Sequence, residues 1–219
     1  MNQPGRTVNW SLWIGVALVA VMLALGLVLM KLKAMSRAEG PALPVIGRVP
    51  AFALTNQLGQ PVTLENLRGH VWVADIIFTR CAGPCPVMTS QMRQLQDALP
   101  VASGAKLVTL TTDADHDTPL VLEKYAAKAG ADPQRWSLLT GDKRVIANLA
   151  IDGLKLTALE KPPAERTDPA DLFVHSTIFV IVDKQGQLRG TFQTGGELVD
   201  WAESKRQILT AIQKLESEP

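Results

Sequence analysis

Three shortages narrow what this sequence can be. It has no excess of charge: 22 lysines and arginines face 21 acids, a formal net charge of +1, and the cations are scattered among the acids. A nucleic-acid-binding surface needs clustered positive charge, so none is expected. It has no internal repeats and no low-complexity tracts. It has only two cysteines and three histidines in 219 residues, so thiol or imidazole chemistry has to rest on a few identifiable positions. Charge is missing altogether between Trp10 and Met30, where Leu, Val, Ala, Ile, Met, Gly and Trp dominate.

A charge-free run of that length matches the ~20 apolar residues a helix needs to cross a bilayer. An N-terminal membrane anchor over residues 1–33 is the first expectation. The alternative is a cleaved signal peptide, whose apolar stretch usually covers only ~7–15 residues; Ala34-Met35-Ser36 would be its weak cleavage site. Flanking charge gives a conflicting orientation. Lys31, Lys33 and Arg37 outweigh Arg6 and the α-amino group, and positive charge favours the cytoplasmic side. The thiol chemistry argued below favours an oxidising space outside the inner membrane. The expectation is therefore a single-pass anchor with its soluble domain on the periplasmic side. Residues 34–50 carry Pro and Gly and read as a semi-rigid linker. Residues 51–219 are enough for one compact domain with its own core.

Within that domain, strand and helix patterns alternate. Phe52–Thr55 and Pro61–Leu64 read as short strands around a Gly-containing turn. His70–Phe78 is a nearly continuous apolar run, as in a strand covered on both faces. Val87–Leu99 has helical spacing, with Met88, Met92, Leu95 and Leu99 on one side. Ala105–Leu110 is a strand, and Thr118-Pro119 reads as an N-cap and first helical position opening a helix to about Ala129. A short extended Trp136–Leu139, a helix from Asp142 to Ile151, a β-branched strand Thr177–Val182, a hairpin return at Leu188–Phe192 and a last helix Glu197–Glu216 complete the order. The class predicted is an α/β sandwich, and strand–Cys–helix followed by a late hairpin is the pattern of a thioredoxin-like fold.

Both cysteines fall at one strand-to-helix junction, Cys81-Ala-Gly-Pro-Cys85-Pro86. Gly83, Pro84 and Pro86 interrupt regular structure and hold the thiols on an irregular loop. A helix N-terminus stabilises a thiolate and lowers its pKa, and Arg80 would add to this if it faced the thiols. A structural disulfide enclosing three residues would remove little chain entropy, so exchange chemistry is the better use of the pair. Two thiolates favour soft Cu(I); a nearby imidazole would extend the site to Cu(II) or Zn. Of the histidines, His70 begins an apolar strand, His116 sits in an acidic loop, and His175 stands just before a core strand. Each could equally be a surface or strand-end residue.

Four segments, in order, resemble the Sco/SenC family of copper-handling assembly proteins: Phe78-Thr-Arg-Cys-Ala-Gly-Pro-Cys-Pro86, Thr111-Thr-Asp-Ala-Asp-His-Asp-Thr-Pro119, Trp136-Ser-Leu-Leu-Thr-Gly141, and His175-Ser-Thr with its strand and Asp183-Lys-Gln-Gly186. The likeness covers about residues 50–195. It implies a thioredoxin-like three-layer sandwich with an N-terminal β-hairpin extension, preceded by one transmembrane helix. It implies copper bound by Cys81, Cys85 and His175, and delivery to an acceptor such as cytochrome c oxidase subunit II for assembly of its CuA centre. Two departures concern the surroundings of the site: Val174 stands where the family commonly has Asp, and Ala82-Gly83-Pro84 where it often has Pro-Asp-Val. Residues 162–169 read as a loop that could let the imidazole approach or leave the thiols. The rival reading makes Cys81 and Cys85 the redox pair of a thiol–disulfide oxidoreductase acting on the acceptor's cysteines; a copper or redox sensor is the third.

Overall fold

The computed structural model describes residues 10–38, 42–166 and 172–218; the side chains of Ala158, Leu159, Pro163, Val174 and His175, and several in the first helix, lie outside this description. The chain divides into two compact units, Met1–Ala42 and Leu43–Pro219. In the first, helix α1 runs from Trp10 to Ala38 over 29 residues, about 43 Å at 1.5 Å per residue. Its apolar stretch Trp13–Met30 is long and apolar enough to cross a membrane, with its described side chains exposed along the whole run.

The second unit begins at Leu43, eight residues before the expected start at 51. The reason is bonding to a distant part of the chain: the Leu43 carbonyl accepts from the Arg189 guanidinium at 2.6 and 3.1 Å. Strand β1 (Gly47–Arg48) also pairs with residues 187–188. With the Ile46 N–H donating to the Leu188 carbonyl and the Val49 N–H to the Gly186 carbonyl, five of these eight residues are bonded to the sheet edge.

The centre of the sheet is parallel. Strands β4 (Trp72–Ile77), β5 (Lys106–Thr111) and β6 (Trp136–Thr140) lie side by side, joined by helices α3 (Cys85–Ala98) and α4 (Pro119–Ala129). Beside β4, strand β9 (Ile178–Val182) runs antiparallel, with β10 (Gln187–Gln193) and then β1 outside it. The other edge is the hairpin β2 (Ala53–Asn56) and β3 (Pro61–Thr63), β2 pairing with β6. The order is β1-β10-β9-β4-β5-β6-β2-β3.

Alternation along β4 divides the core in two. Trp72, Ala74 and Ile76 face the layer of α2 (Leu64–Leu67) and α5 (Lys143–Asn148). Val73 and Ile77 face α3, α4 and α6 (Trp201–Ser217). This is the thioredoxin-like three-layer sandwich with an added N-terminal hairpin that the sequence implies. Helix α4 starts as expected, the Thr118 hydroxyl accepting from the Val121 N–H, and ends at Gly130 in the left-handed conformation at φ 70°. The helix expected from Asp142 to Ile151 is divided: α5 stops at Asn148 and a π-helical turn, Leu149–Gly153, continues it.

A small second sheet was not foreseen. Strands β7 (Ala158–Glu160) and β8 (Phe173–His175) pair antiparallel, with Ala158 opposite His175. Of the loop expected at 162–169, Pro163–Glu165 form a 3₁₀ turn; residues 167–171 lie outside the described residues.

Candidate metal centre

The parallel strands deliver their chain ends to one side of the sheet. Strand β4 leads through Phe78, Thr79 and Arg80 to Cys81, whose N–H donates to the Phe78 carbonyl at 3.2 Å. Cys85 is the first residue of α3, following Pro84 at the N-cap. It is 1% exposed and part of the core on the α3 side, whereas Cys81 is half-buried at the edge of that core. The Gly83 N–H donates to Cys81 Sγ at 3.4 Å. The two thiols lie within hydrogen-bonding reach of each other.

Burial pushes the Cys85 thiol well above its ordinary range, and the neighbouring Cys81 thiol pushes the same way. The lowering expected from the helix N-terminus is therefore not what governs Cys85. Desolvation disfavours a thiolate in the core more than the first-turn amides favour it. Arg80 does not redress this, because its guanidinium is taken by Asp113, Nε at 3.1 Å and Nη2 at 2.5 Å.

That ion pair belongs to a clamp on the residues preceding Cys81. Asp117 is fully buried and accepts from the Thr79 N–H at 3.0 Å, from the hydroxyls of Thr79 and Thr111, and from His116 Nδ1 at 2.9 Å. The ligating atoms of Asp113, His116 and Asp117 lie within 4.8 Å of one another. Their oxygens already serve Thr79, Arg80 and Thr111, so the cluster is a fastening for the cysteine loop. The motif around Asp113 and Asp117 stood out in the sequence, but its role did not, because nothing in sequence spacing links it to Thr79 and Arg80. His70 is remote from this: its Nδ1 meets the Gly104 carbonyl at 2.8 Å.

His175 reaches the same end of the sheet through its backbone. Strand β9 is antiparallel to β4, with Ala74 opposite Val180. The residues just before Ile178 therefore lie level with the carboxyl end of β4, where the cysteine loop begins. The Phe173 ring, on β8, packs edge-on against Phe78 at 5.2 Å between centroids. So the structure brings Cys81 and Cys85 together and brings the backbone of β8 to their end of the sheet, while the imidazole of His175 lies outside the described residues.

One neighbour of the site went unnoticed in the sequence. Asp75 shares the β4 face of Val73 and Ile77, is 0% exposed, and neither carboxylate oxygen has a hydrogen-bond partner among the described residues. Burial pushes its pKa up to about 7, the nearby Thr109 hydroxyl offsetting this only in part. Its charge is felt at Cys85 and at Tyr125 of α4. The available signal was a single acid inside the apolar run His70–Phe78.

A family model described as SCO1/SenC matches residues 46–211. The SCO1 protein homolog of Bacillus subtilis (strain 168) is 33% identical over 147 residues, 66% of this chain and 73% of that protein. Among solved structures, BsSco, a member of the Sco family of cytochrome c oxidase assembly proteins studied for a disulfide switch, matches with a TM-score of 0.66 at 29% identity. The match covers 80% of this chain and 97% of that one. Yeast Sco1 with copper bound matches with a TM-score of 0.61 at 23% identity, over 78% of this chain and 90% of that one. At that identity the likeness is one of fold.

Proposed function

The chain belongs to the SCO1/SenC family, and on that premise we propose that it is a membrane-anchored copper carrier whose cargo is held by Cys81, Cys85 and His175. The observation that carries this reading is the pair of adjacent thiols at the mouth of the sheet, one buried and one reachable, with β8 arriving at the same end. The donor set suits the cargo: two sulfurs match soft Cu(I), and an added imidazole would hold Cu(II). The acceptor is a membrane-bound copper protein such as cytochrome c oxidase subunit II, where the cargo serves the CuA centre. Helix α1 anchors the carrier in the inner membrane, with its soluble unit on the extracytoplasmic side, and raises its effective concentration near such an acceptor.

Anaerobic copper titration of the reduced protein, with His175→Ala alongside, tests this. One copper per chain is expected, with the variant losing Cu(II) and keeping weaker Cu(I). A wild-type protein that binds neither ion tightly refutes the carrier. The asymmetry of the thiols favours a second reading, a thiol–disulfide oxidoreductase acting on the acceptor's cysteines. There Cys81 meets the partner and the buried Cys85 resolves the mixed disulfide. Rapid dithiol–disulfide cycling without copper affinity would put that reading first.

A further inference from the structure

Cys81 opens onto a half-open groove of about 470 Å³ between α3 and α4. Its walls are two helical stripes. On α3 they are Pro86, Thr89, Ser90 and Arg93, at i, i+3, i+4 and i+7; on α4 they are Tyr125, Lys128 and Ala129, at i, i+3 and i+4. Residues so spaced share one face of a helix. The stripes are tied midway: the Thr89 hydroxyl donates to the Cys85 carbonyl at 2.9 Å and lies 2.7 Å from the Tyr125 hydroxyl. Thr89 thus accepts from Tyr125, leaving the phenol oxygen able to accept in turn.

The groove is polarised along its length. At one end is the reachable thiol. At the other are Arg93 and Lys128, and no carboxylate is among the described residues that line the walls. Arg93 is engaged with Asp97 at 2.8 and 2.9 Å and with the Gly130 carbonyl at 2.7 Å, so its charge is partly compensated. Lys128 makes no ion pair among the described residues and supplies the uncompensated positive charge. From Pro86 to Arg93 the helix rises about 10 Å. An extended peptide advances about 3.3 Å per residue and presents alternate side chains to one face. Three residues match that rise but present the opposite face, so the side chain four residues after a cysteine at the Cys81 end, about 13 Å on and on the same face, is the first to reach the cationic end.

We propose that this groove is the docking site for an extended segment of the acceptor protein bearing a cysteine and, four residues after it, a carboxylate. The cysteine meets Cys81, the middle of the segment lies over the Thr89, Ser90 and Tyr125 hydroxyls, and the carboxylate pairs with Lys128. The assignment rests on the proposed transfer to a cysteine-bearing partner and names the partner segment it would read.

The test uses the full chain in detergent with Cys85→Ser, so that a mixed disulfide at Cys81 persists. Two pentapeptides carry an N-terminal cysteine activated as its 2-nitro-5-thiobenzoate disulfide, with Glu or Lys at the fifth position and Ser or Gly between. The Cys81 thiolate attacks the peptide sulfur, a Cys81–peptide disulfide forms, and the coloured thiobenzoate leaves as its thiolate while the Cys81 proton passes to buffer. Each rate is divided by that of the methyl 2-nitro-5-thiobenzoate disulfide, which cancels any change in Cys81 itself. The Glu peptide is expected to react about one-and-a-half- to fivefold faster than the Lys peptide at low salt, the range of one exposed charge contact. Lys128→Glu reverses the order, Ser90→Trp slows both peptides by filling the groove, and 1 M salt, with a screening length of about 3 Å, erases the preference. Equal normalised rates for the two peptides, or an order unchanged by Lys128→Glu, overturn the proposal. Copper titration of the same chain with Cys85 restored separates the two readings. Loss of copper affinity with the peptide preference intact removes the carrier and leaves the groove, and the converse removes the groove alone.

Discussion

Replacing Asp75 by Asn should abolish a steep pH dependence of stability. In the folded chain the carboxyl is held at about 7, against an ordinary 3.8, because it is wholly buried and the Thr109 hydroxyl offsets that only in part. The sign follows from which state binds the proton. Below pH 3.8 both states are protonated and the shift costs nothing. Between pH 4 and 7 the unfolded chain has released a proton that the folded chain keeps, so stability falls as pH rises, by about 1.4 kcal/mol per pH unit at the steepest. Above pH 7 the loss levels off at roughly 4 kcal/mol. From pH 5 to pH 8 the fall is about 2.5 kcal/mol. Asn has nearly the same shape and no charge, so its stability should lack this component. Urea denaturation of the metal-free, reduced chain from Leu43 onward, followed by Trp72 and Trp136 fluorescence at pH 5, 6, 7 and 8, measures it. Burial holds the Cys85 thiol above this window, and what the two proteins share cancels in the difference. A wild-type-minus-variant difference that is flat across the four pH values refutes the assignment, whatever the absolute stabilities.

The clamp, the cap and the domain start make three further predictions. Asp117→Ala strands the buried Thr111 hydroxyl and the half-buried Thr79 donors and should cost about 3 kcal/mol in denaturant midpoint analysis, with weaker copper binding; Asp117→Asn, which keeps an acceptor, should recover part of both. Gly130→Ala forces a side chain onto left-handed backbone at φ 70° and sets a methyl 1.8 Å from Arg93 Nη1. It should lose about 1 kcal/mol or more and free Arg93, detectable in thermal unfolding and in a crystal structure. A chain begun at Ala51 loses β1 and the Leu43 carbonyl, leaving the nearly buried Arg189 guanidinium two bonds short; it should unfold at lower urea than a chain begun at Leu43, and equal midpoints would contradict the role given to residues 43–50.

Most of the fold was legible because its signals are local. The apolar run at β4, the helical spacing of Met88, Met92 and Leu95, and Thr118-Pro119 each report on neighbours a few residues away, and the structure keeps those elements to within a few residues. The misses are long-range. Strand β1 has two residues, and its existence depends on β10, about 140 positions later. Strands β7 and β8 stabilise each other across a Pro-rich interval with no periodicity to announce them. At the site, the cysteine pair was legible as a motif, but the direction of the Cys85 shift was not. Helix N-terminal position is readable from sequence, whereas depth of burial is set by α3 packing on β4, and here burial dominates.

That dominance bears on how a carrier of this build would work. A thiol held protonated by burial must release its proton when it ligates a metal, so copper affinity should strengthen with pH through the neutral range. The same burial discourages the metal-free pair from existing as two thiolates, which keeps Cys85 a poor nucleophile until a metal or a disulfide at Cys81 changes its surroundings. Cys81, half-exposed and steadied by Thr79 and Arg80 on the Asp117 and Asp113 carboxylates, would then be the sulfur that meets a partner first. Cargo would enter and leave by way of Cys81, with Cys85 gripping from the core side. This division of labour follows from the depth of each sulfur in the sandwich, and it holds whether what passes to the partner is copper or a pair of electrons.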